Sequence, residues 1–478
     1  MRKLSAVVTL SFALFITARP ASAADTATPL VTGPIEGGER GRPFTSAVVD
    51  LSEHGYVEEE FFLDGEAAAY DFAAGSTLRD DGRWDIVETT RAEYATRLLV
   101  RRPTDPERCN STVYVEWQNV SGGLDIDTAW MHNHEELLRS GFVWVGVSAQ
   151  RAGVLGPPVI PGLSCPLADW DPERYGTRAV PDDAYSYDIF TQAARAVGPA
   201  RDTSSVDPLG GLDVEKRIAA GQSQSAGRLA SYVNAVQPTA GVFDGFFIAA
   251  RGAWVSPLVG GGMITREPSR IRDDVAAKVF RVNTEGEALS SFPDRQPDTA
   301  THRYWEIAGS AHQCAYVTAF VDGLLERDIG LAPRAGALPD NDLPSPRAMN
   351  AALWHHERWV RGEATPPEQP LLAISGSPVD IERDPFGNAT GGVRLPELEV
   401  QTKQFGPFGL PSVSHRLRGF ALPFDDAMLR ARYPTHDDYV AQFTAATDAA
   451  VDAGALLDRD AEVGLRAART AEVPPASG

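Results

Sequence analysis

The rhythm of apolar and polar positions changes partway along the chain. Over residues 57–72 and 94–102 apolar and polar side chains alternate, the period of antiparallel strands with one face on a core. The turn signal Thr104-Asp105-Pro106-Glu107-Arg108 separates the second of these from a strand expected at 112–117. Beyond it, short continuous apolar runs alternate with helical periodicity. A helix is expected at 130–139, and after Gly141 the run 142–147 reads as a strand buried on both faces. A helix at 183–197 carries Tyr187, Ile189, Ala193 and Ala194 on its apolar side. The run from Lys216 to Ala220 leads into a helix marked by Leu229, Tyr232, Val233 and Val236. Strands at 242–248, 278–283 and 303–308 and a helix at 348–360 follow. This alternation predicts an α/β fold with a mostly parallel, doubly wound central sheet and helices on both faces.

Three stretches fall outside that pattern. Residues 24 to about 45 are rich in Pro, Gly and Thr and form an irregular lead-in. Residues 151–182 are full of Pro, Gly and Asp and long enough for a lid or pocket wall. From about 366 a Gly/Pro-rich segment precedes helical patterns at 424–429, 437–453 and 458–468, a C-terminal extension. No internal repeat or low-complexity block interrupts the chain.

The N-terminus reads as an address. Arg2 and Lys3 precede an apolar stretch at 4–17, and Ala21-Ser22-Ala23 offers the small residues of a cleavage site. Residues 1–23 are therefore expected to be a signal peptide, and 24–478 a single large domain that is secreted or periplasmic. The apolar stretch falls short of the roughly 20 residues that cross a bilayer, so stable membrane insertion is not expected. A hydrophobic fraction of 43% suffices for a packed core. The net charge of −21 argues against nucleic acid as a partner, since a phosphate backbone would be repelled. The three cysteines, Cys109, Cys165 and Cys314, allow one disulfide, and a bridge from Cys165 to Cys314 would tie the 151–182 loop to the segment around His312. No CxxC pair suggests zinc. His132-x-His134 lacks a third ligand at recognisable spacing, so capping or solvent exposure outweighs a metal site there.

Candidate chemistry concentrates where an apolar run ends in Gly221-Gln222-Ser223-Gln224-Ser225 and a helical pattern begins at once. A strand–turn–helix with small residues around a serine is the context that holds a hydroxyl exposed on a tight elbow. Ser225 stands where glycine is usual and is itself a rival nucleophile. Ser223, two residues past the strand end at Gly221, fits the elbow, whereas Ser225 would already lie in the helix. A serine hydroxyl needs a base, itself oriented by an acid. After the strand ending near 282 come Glu285 and Glu287, and after the strand ending at 308 comes Gly309-Ser310-Ala311-His312. This is the order nucleophile, acid, base. Glu287 fits the acid position better and Glu285 a supporting one, though both stay open. An oxyanion site needs two N–H groups. Gln224 supplies one, and the loop Gln118-Asn119-Val120-Ser121-Gly122-Gly123 supplies the other from Val120 or Asn119.

These motifs resemble the α/β-hydrolase superfamily. Within it, the blocks Glu116 to Gly123, Ser186-Tyr187-Asp188-Ile189-Phe190, Gly221 to Ala226, Glu306 to His312 and Gly387 to Arg394 are similar to a bacterial family described simply as alpha/beta hydrolase domain proteins. The resemblance implies serine-hydrolase chemistry on a carboxylic ester, with a small-molecule substrate and no cofactor or metal. The same triad would serve an amidase, peptidase or acyltransferase, and the scaffold could carry a non-catalytic binding protein. Substrate and oligomeric state are not implied.

Overall fold

The computed structural model describes residues 28–157, 160–202, 206–259, 267–333, 335–409 and 416–475; the expected leader at 1–23 lies outside them. Nine strands form the main sheet: β1 (Leu30–Thr32), β2 (Tyr56–Phe72), β3 (Ile86–Pro103), β4 (Thr112–Trp117), β5 (Val143–Val147), β6 (Lys216–Gln222), β7 (Gly245–Ala249), β8 (Lys278–Thr284) and β9 (His302–Ile307). Their spatial order is β1-β2-β3-β5-β4-β6-β7-β8-β9. The joins from β1 to β5 are antiparallel and those from β5 to β9 are parallel.

The antiparallel hairpin is longer than the alternation suggested. β3 begins at Ile86 and not near 94, because the stretch Glu88-Thr89-Thr90-Arg91-Ala92-Glu93 pairs with β2 while remaining partly solvated. At the other end of the hairpin, charges pair across the strands: Glu58 meets Arg101 at 2.8 Å and Glu59 meets Arg102 at 2.5 Å.

Two separate apolar cores pack the two faces of the sheet, as expected for strands buried on both sides. One includes Tyr187, Ile189 and Phe190 of the helix Ser186–Ala196 and Ala226, Leu229 and Ala230 of the helix Gln224–Ser231. The other includes Trp130, Leu137 and Leu138 of the helix Thr128–Arg139 and Ala348, Met349, Ala352 and Leu353 of the helix Pro346–Val360. Trp117, Trp130, Tyr175 and Phe190 are all core residues, at most 1% exposed.

The segment 151–182 contains three short helices, Arg151–Val154, Leu167–Trp170 and Pro172–Tyr175. Much of it is built into the antiparallel edge. Ala179 exchanges backbone hydrogen bonds with Ala95 of β3, the Trp170 indole donates to the Asp328 carbonyl, and the Tyr175 hydroxyl donates to Glu60. One helix, Ala315–Ile329, was not expected, although Val317, Leu324 and Leu325 face the core at helical spacing. The C-terminal extension holds two small hairpins (Ile374–Ser375 with Asp380–Ile381, and Lys403–Gly406 with Phe420–Pro423) and a pair of helices, His436–Asp452 and Asp458–Thr470.

No disulfide forms: Cys109, Cys165 and Cys314 are free thiols, which corrects the anticipated Cys165–Cys314 bridge. Cys314 is buried at the start of the helix Ala315–Ile329, and the 151–182 segment is fastened elsewhere. Among the described residues, no helix is long and apolar enough to cross a membrane.

Candidate active site

The strand β6 ends at Gln222, and the helix Gln224–Ser231 starts one residue beyond Ser223. Ser223 therefore makes the whole turn by itself, at φ 61° and ψ −118°. That conformation costs a non-glycine residue of order 1–3 kcal/mol and persists only where the surroundings fix it. Here the Ser223 N–H donates to the Ala249 carbonyl on β7 at 3.0 Å, and its carbonyl accepts from Gly227 at 3.1 Å. The small residues on either side have a packing reason. A Cβ at Gly221 would lie 3.0 Å from the Ser225 backbone and 3.1 Å from the Ser225 Cβ. Ser225 thus occupies the close approach between strand and helix. It is fully buried, its hydroxyl has no hydrogen-bond partner among the described residues, and it lies inside the helix as the spacing implied.

β8 runs one residue beyond the expected 278–283, to Thr284, and a helix begins at Glu285. Thr284 and Glu287 form a capping box there. Glu287 Oε2 accepts from the Thr284 N–H at 3.1 Å and from the Thr284 hydroxyl at 2.5 Å, which leaves Oε1 free to face away. It faces His312, whose Nδ1 lies 2.7 Å from Glu287 Oε1. The side chains are 11% and 15% exposed. Burial pushes the Glu287 carboxyl up, but the His312 charge and hydrogen bond, with the Thr284 donors, outweigh it and hold it below the ordinary value. Burial pulls His312 down, but the Glu287 charge and hydrogen bond raise it above the ordinary imidazole value.

The other glutamate is engaged elsewhere. Glu285 Oε2 accepts from the Gly309 N–H at 2.7 Å and Oε1 pairs with Arg383 at 2.8 Å. Of the two acidic candidates, the structure brings Glu287 to His312.

Gln222 joins the elbow to the histidine loop and approaches the helix Thr128–Arg139. Gln222 Nε2 donates to the His312 carbonyl at 3.3 Å and lies 3.5 Å from His132 Nε2. His132 Nδ1 is 2.9 Å from the Thr128 carbonyl. Burial holds His132 down at about 4, so its imidazole is neutral at physiological pH. His132 and His134 are buried, 4% and 5% exposed, and not the exposed or capping residues expected from sequence. His134 meets the Tyr316 hydroxyl at 3.2 Å. Among the described residues no three His, Cys, Asp or Glu side chains are grouped to hold a metal ion.

The loop after β4 lies against the elbow. Asn119 Nδ2 donates to the Gln222 carbonyl at 3.0 Å, and Asn119 Oδ1 accepts from the Ser121 N–H at 2.9 Å. The Asn119 N–H donates to the Ile126 carbonyl at 2.9 Å, which removes it as an oxyanion donor. The Val120 N–H donates to no group among the described residues, and the Gln224 N–H opens the elbow helix with its positive end toward the site. Glu116, in the same block, faces away. Its carboxyl accepts from the Ala129 and Trp130 N–H groups and the Trp144 indole, and burial, then the nearby Asp127, pushes it up to about 8.

Asn119 and Gln222 contribute side chains to the candidate site, whereas the sequence reading offered only the Asn119 backbone and gave Gln222 no role. Nothing local to either marks it, because each acts across the sheet. The capping box Thr284-x-x-Glu287, by contrast, is a local signal that would have separated the two glutamates.

A sharp strand–serine–helix elbow, an acid two strands further on and a histidine loop three strands further on, all at the carboxyl ends of parallel strands, define the α/β-hydrolase class. Residues 31–466 match the model of the family described as "Alpha/beta hydrolase domain", and the chain belongs to that family. Comparison with curated proteins finds no match. Among solved structures the chain is similar to brefeldin A esterase, a bacterial homologue of human hormone-sensitive lipase, at 13% identity over 49% of this chain and 51% of that one, with a TM-score of 0.22. It is similar to esterase Est22 at 13% identity over 46% of this chain and 64% of that one, TM-score 0.23. It is also similar to a glucuronoyl esterase from Solibacter usitatus, at 10% identity over 60% and 82% and a TM-score of 0.28. The chain thus spans only about half to two-thirds of the length of the first two.

Proposed function

We propose that this protein is an exported serine hydrolase that cleaves a carboxylic ester through an acyl-enzyme. Ser223 Oγ attacks the ester carbonyl while His312 Nε2 takes its proton, and Glu287, hydrogen-bonded to Nδ1, holds the imidazole in the tautomer that leaves Nε2 free to accept. The oxyanion forms against the Gln224 and Val120 N–H groups, fixed donors that need no reorganisation as charge develops. His312 returns the proton to the departing alkoxide. A water then attacks the acyl-Ser223 ester with the same proton transfers in reverse, releasing the acid and restoring the serine.

The observation that carries this reading is the junction of a strained Ser223 elbow with a hydrogen-bonded Glu287–His312 pair, joined by Gln222. Export rests on the pattern of the first 23 residues, and the chain recovered outside the cytoplasm should begin at Ala24. A fluorophosphonate probe should label Ser223, with the adduct on the peptide containing Gly221 to Arg228. Labelling should vanish in Ser223→Ala and persist in Ser225→Ala; the reverse pattern, or no labelling of the folded protein, sinks the assignment.

A further inference from the structure

We infer that Glu285, with Arg383 reaching in from the C-terminal extension, is a positioning pair that clamps the turn before His312, so that chain lying beyond the central sheet completes the reactive centre. This rests on the hydrolase reading above for its catalytic consequence, but not for the clamp itself.

Glu285 and Glu287 sit two residues apart on one helix, about 200° around its axis, so they reach in different directions. Glu287 grips the imidazole. Glu285 grips the backbone three residues upstream of it: Oε2 takes the Gly309 N–H at 2.7 Å, and the Glu285 N–H donates to Ser310 Oγ at 3.2 Å. The Ser310 hydroxyl donates in turn to the Ile307 carbonyl at 2.6 Å. Gly309 has φ 72°, and a Cβ there would meet Leu398 Cδ1 at 2.9 Å, so this turn is shaped for glycine and pressed from the extension side.

The opposite face of the same turn is also held. Asn341 Nδ2 donates to the Gly309 carbonyl at 2.8 Å and to the Gly406 carbonyl at 3.2 Å. Immediately past the imidazole, the Gln313 N–H donates to the Leu417 carbonyl at 2.9 Å. His312 is thus suspended between two fixed points. Asn341, Arg383, Gly406 and Leu417, which help to fix them, all lie downstream of β9.

A carboxylate with no exposed surface and one backbone donor would take up a proton, because burial disfavours its charge. Arg383, 2.8 Å away and a third exposed, supplies the opposing charge, with Arg394 acting at longer range. Burial still leaves Glu285 above the ordinary carboxyl value. Asp380 lines the same small cavity of about 290 Å³ as Glu285, Gly286 and Arg383, and is the other carboxylate on that side. His312 itself faces Glu287 and, more remotely, His132. Arg383 therefore keeps Glu285 a strong acceptor, and Glu285 keeps Gly309 and the imidazole where Glu287 can meet it.

Catalytic geometry tolerates little play: a displacement near 1 Å can lower a rate about 100-fold. In the full chain, Glu285→Ala should lower kcat on a nitrophenyl ester by about 100-fold with KM held within about twofold, since no substrate contact is lost. Its acid limb in kcat/KM should move to lower pH, because a loosened His312 feels Glu287 less. Glu285→Gln keeps a carbonyl acceptor for the Gly309 N–H and should recover most of the rate and the parent's acid limb. Arg383→Met should lower kcat by about 10-fold, midway on that logarithmic scale. Hydrogen exchange at Gly309 reads the clamp without catalysis: protected in the parent and Glu285→Gln, fast in Glu285→Ala. If Glu285→Ala does not fold, Arg383→Met decides alone, through kcat and Gly309 exchange. Parent-like kcat and Gly309 exchange in both variants overturn the clamp, and so does Glu285→Gln falling as far as Glu285→Ala. If Gly309 exchange responds as expected while the parent shows no Ser223 labelling, it is the hydrolase reading that fails, and the clamp stands.

Discussion

Replacing Glu287 by Gln should be far more damaging than the change of one atom suggests, and the capping box says why. Two donors, the Thr284 N–H and hydroxyl, converge on one carboxylate oxygen, and that oxygen cannot be replaced there by an NH2 group without opposing donor to donor. The carbonyl oxygen of the substituted amide is therefore forced to the Thr284 side, and its NH2 points at His312 Nδ1. Nδ1 must then accept, which places the imidazole proton on Nε2, where it blocks uptake of the Ser223 proton. A wrong-tautomer histidine in a serine triad lowers kcat by about 10⁴, equivalent to about 5 kcal/mol of barrier at about 1.36 kcal/mol per decade. The Cα position and the helix cap are preserved, so thermal stability should change little. The assay is the second-order rate of fluorophosphonate labelling at Ser223, which does not require the natural substrate, followed by nitrophenyl ester hydrolysis. Retention of activity within tenfold of the parent would refute the tautomer argument and the choice of Glu287.

The acid limb of kcat/KM should have its midpoint above 6.5, the ordinary histidine value, because Glu287 stabilises the charged imidazole against the opposing effect of burial; activity rises as pH climbs through that point, and a midpoint below 6.5 contradicts the pairing. The stability linked to His312 has the opposite sense, present below the unfolded value and lost as pH rises through the raised folded value, measurable as a fall in Tm across that range. Asn119→Ala removes the strut from the loop after β4 to the Gln222 carbonyl and should lower kcat about tenfold with little change in KM, a loss confined to transition-state stabilisation. Gly221→Ala drives a methyl to 3.0 Å from the Ser225 backbone and should cost about 1–3 kcal/mol of stability by denaturant melt; a neutral result would mean that strand and helix can part at the elbow without cost.

What could be seen in the chain beforehand was what is local. The run Phe142-Val143-Trp144-Val145 announces a strand because both its faces are covered, and Gly221-Gln222-Ser223 announces a turn because strand and helix must meet there. The polar start of β3 did not announce itself, since its stability comes from partners on β2. The helix Ala315–Ile329 carries Asp322 and Gly323 in its middle, which dilute its period. At the candidate site, Ser223, Glu287 and His312 stand out as candidates because each follows a strand end. The contributions of Asn119, Gln222 and Arg383 are side-chain contacts across 103, 90 and 98 residues of sequence, and no short window contains them.

The fastening of the 151–182 segment carries a consequence for anyone who wishes to replace it. Its Ser164 hydroxyl donates to the Gly122 carbonyl at 2.9 Å and its Cys165 N–H to the Gly123 carbonyl at 3.1 Å, directly beside Val120. The 151–182 segment and the loop after β4 are therefore one mechanical part. Transplanting a foreign segment wholesale would disturb the loop after β4 in the same stroke, whereas a graft that retains Ser164 and Cys165 as fixed stitches would leave that loop in place.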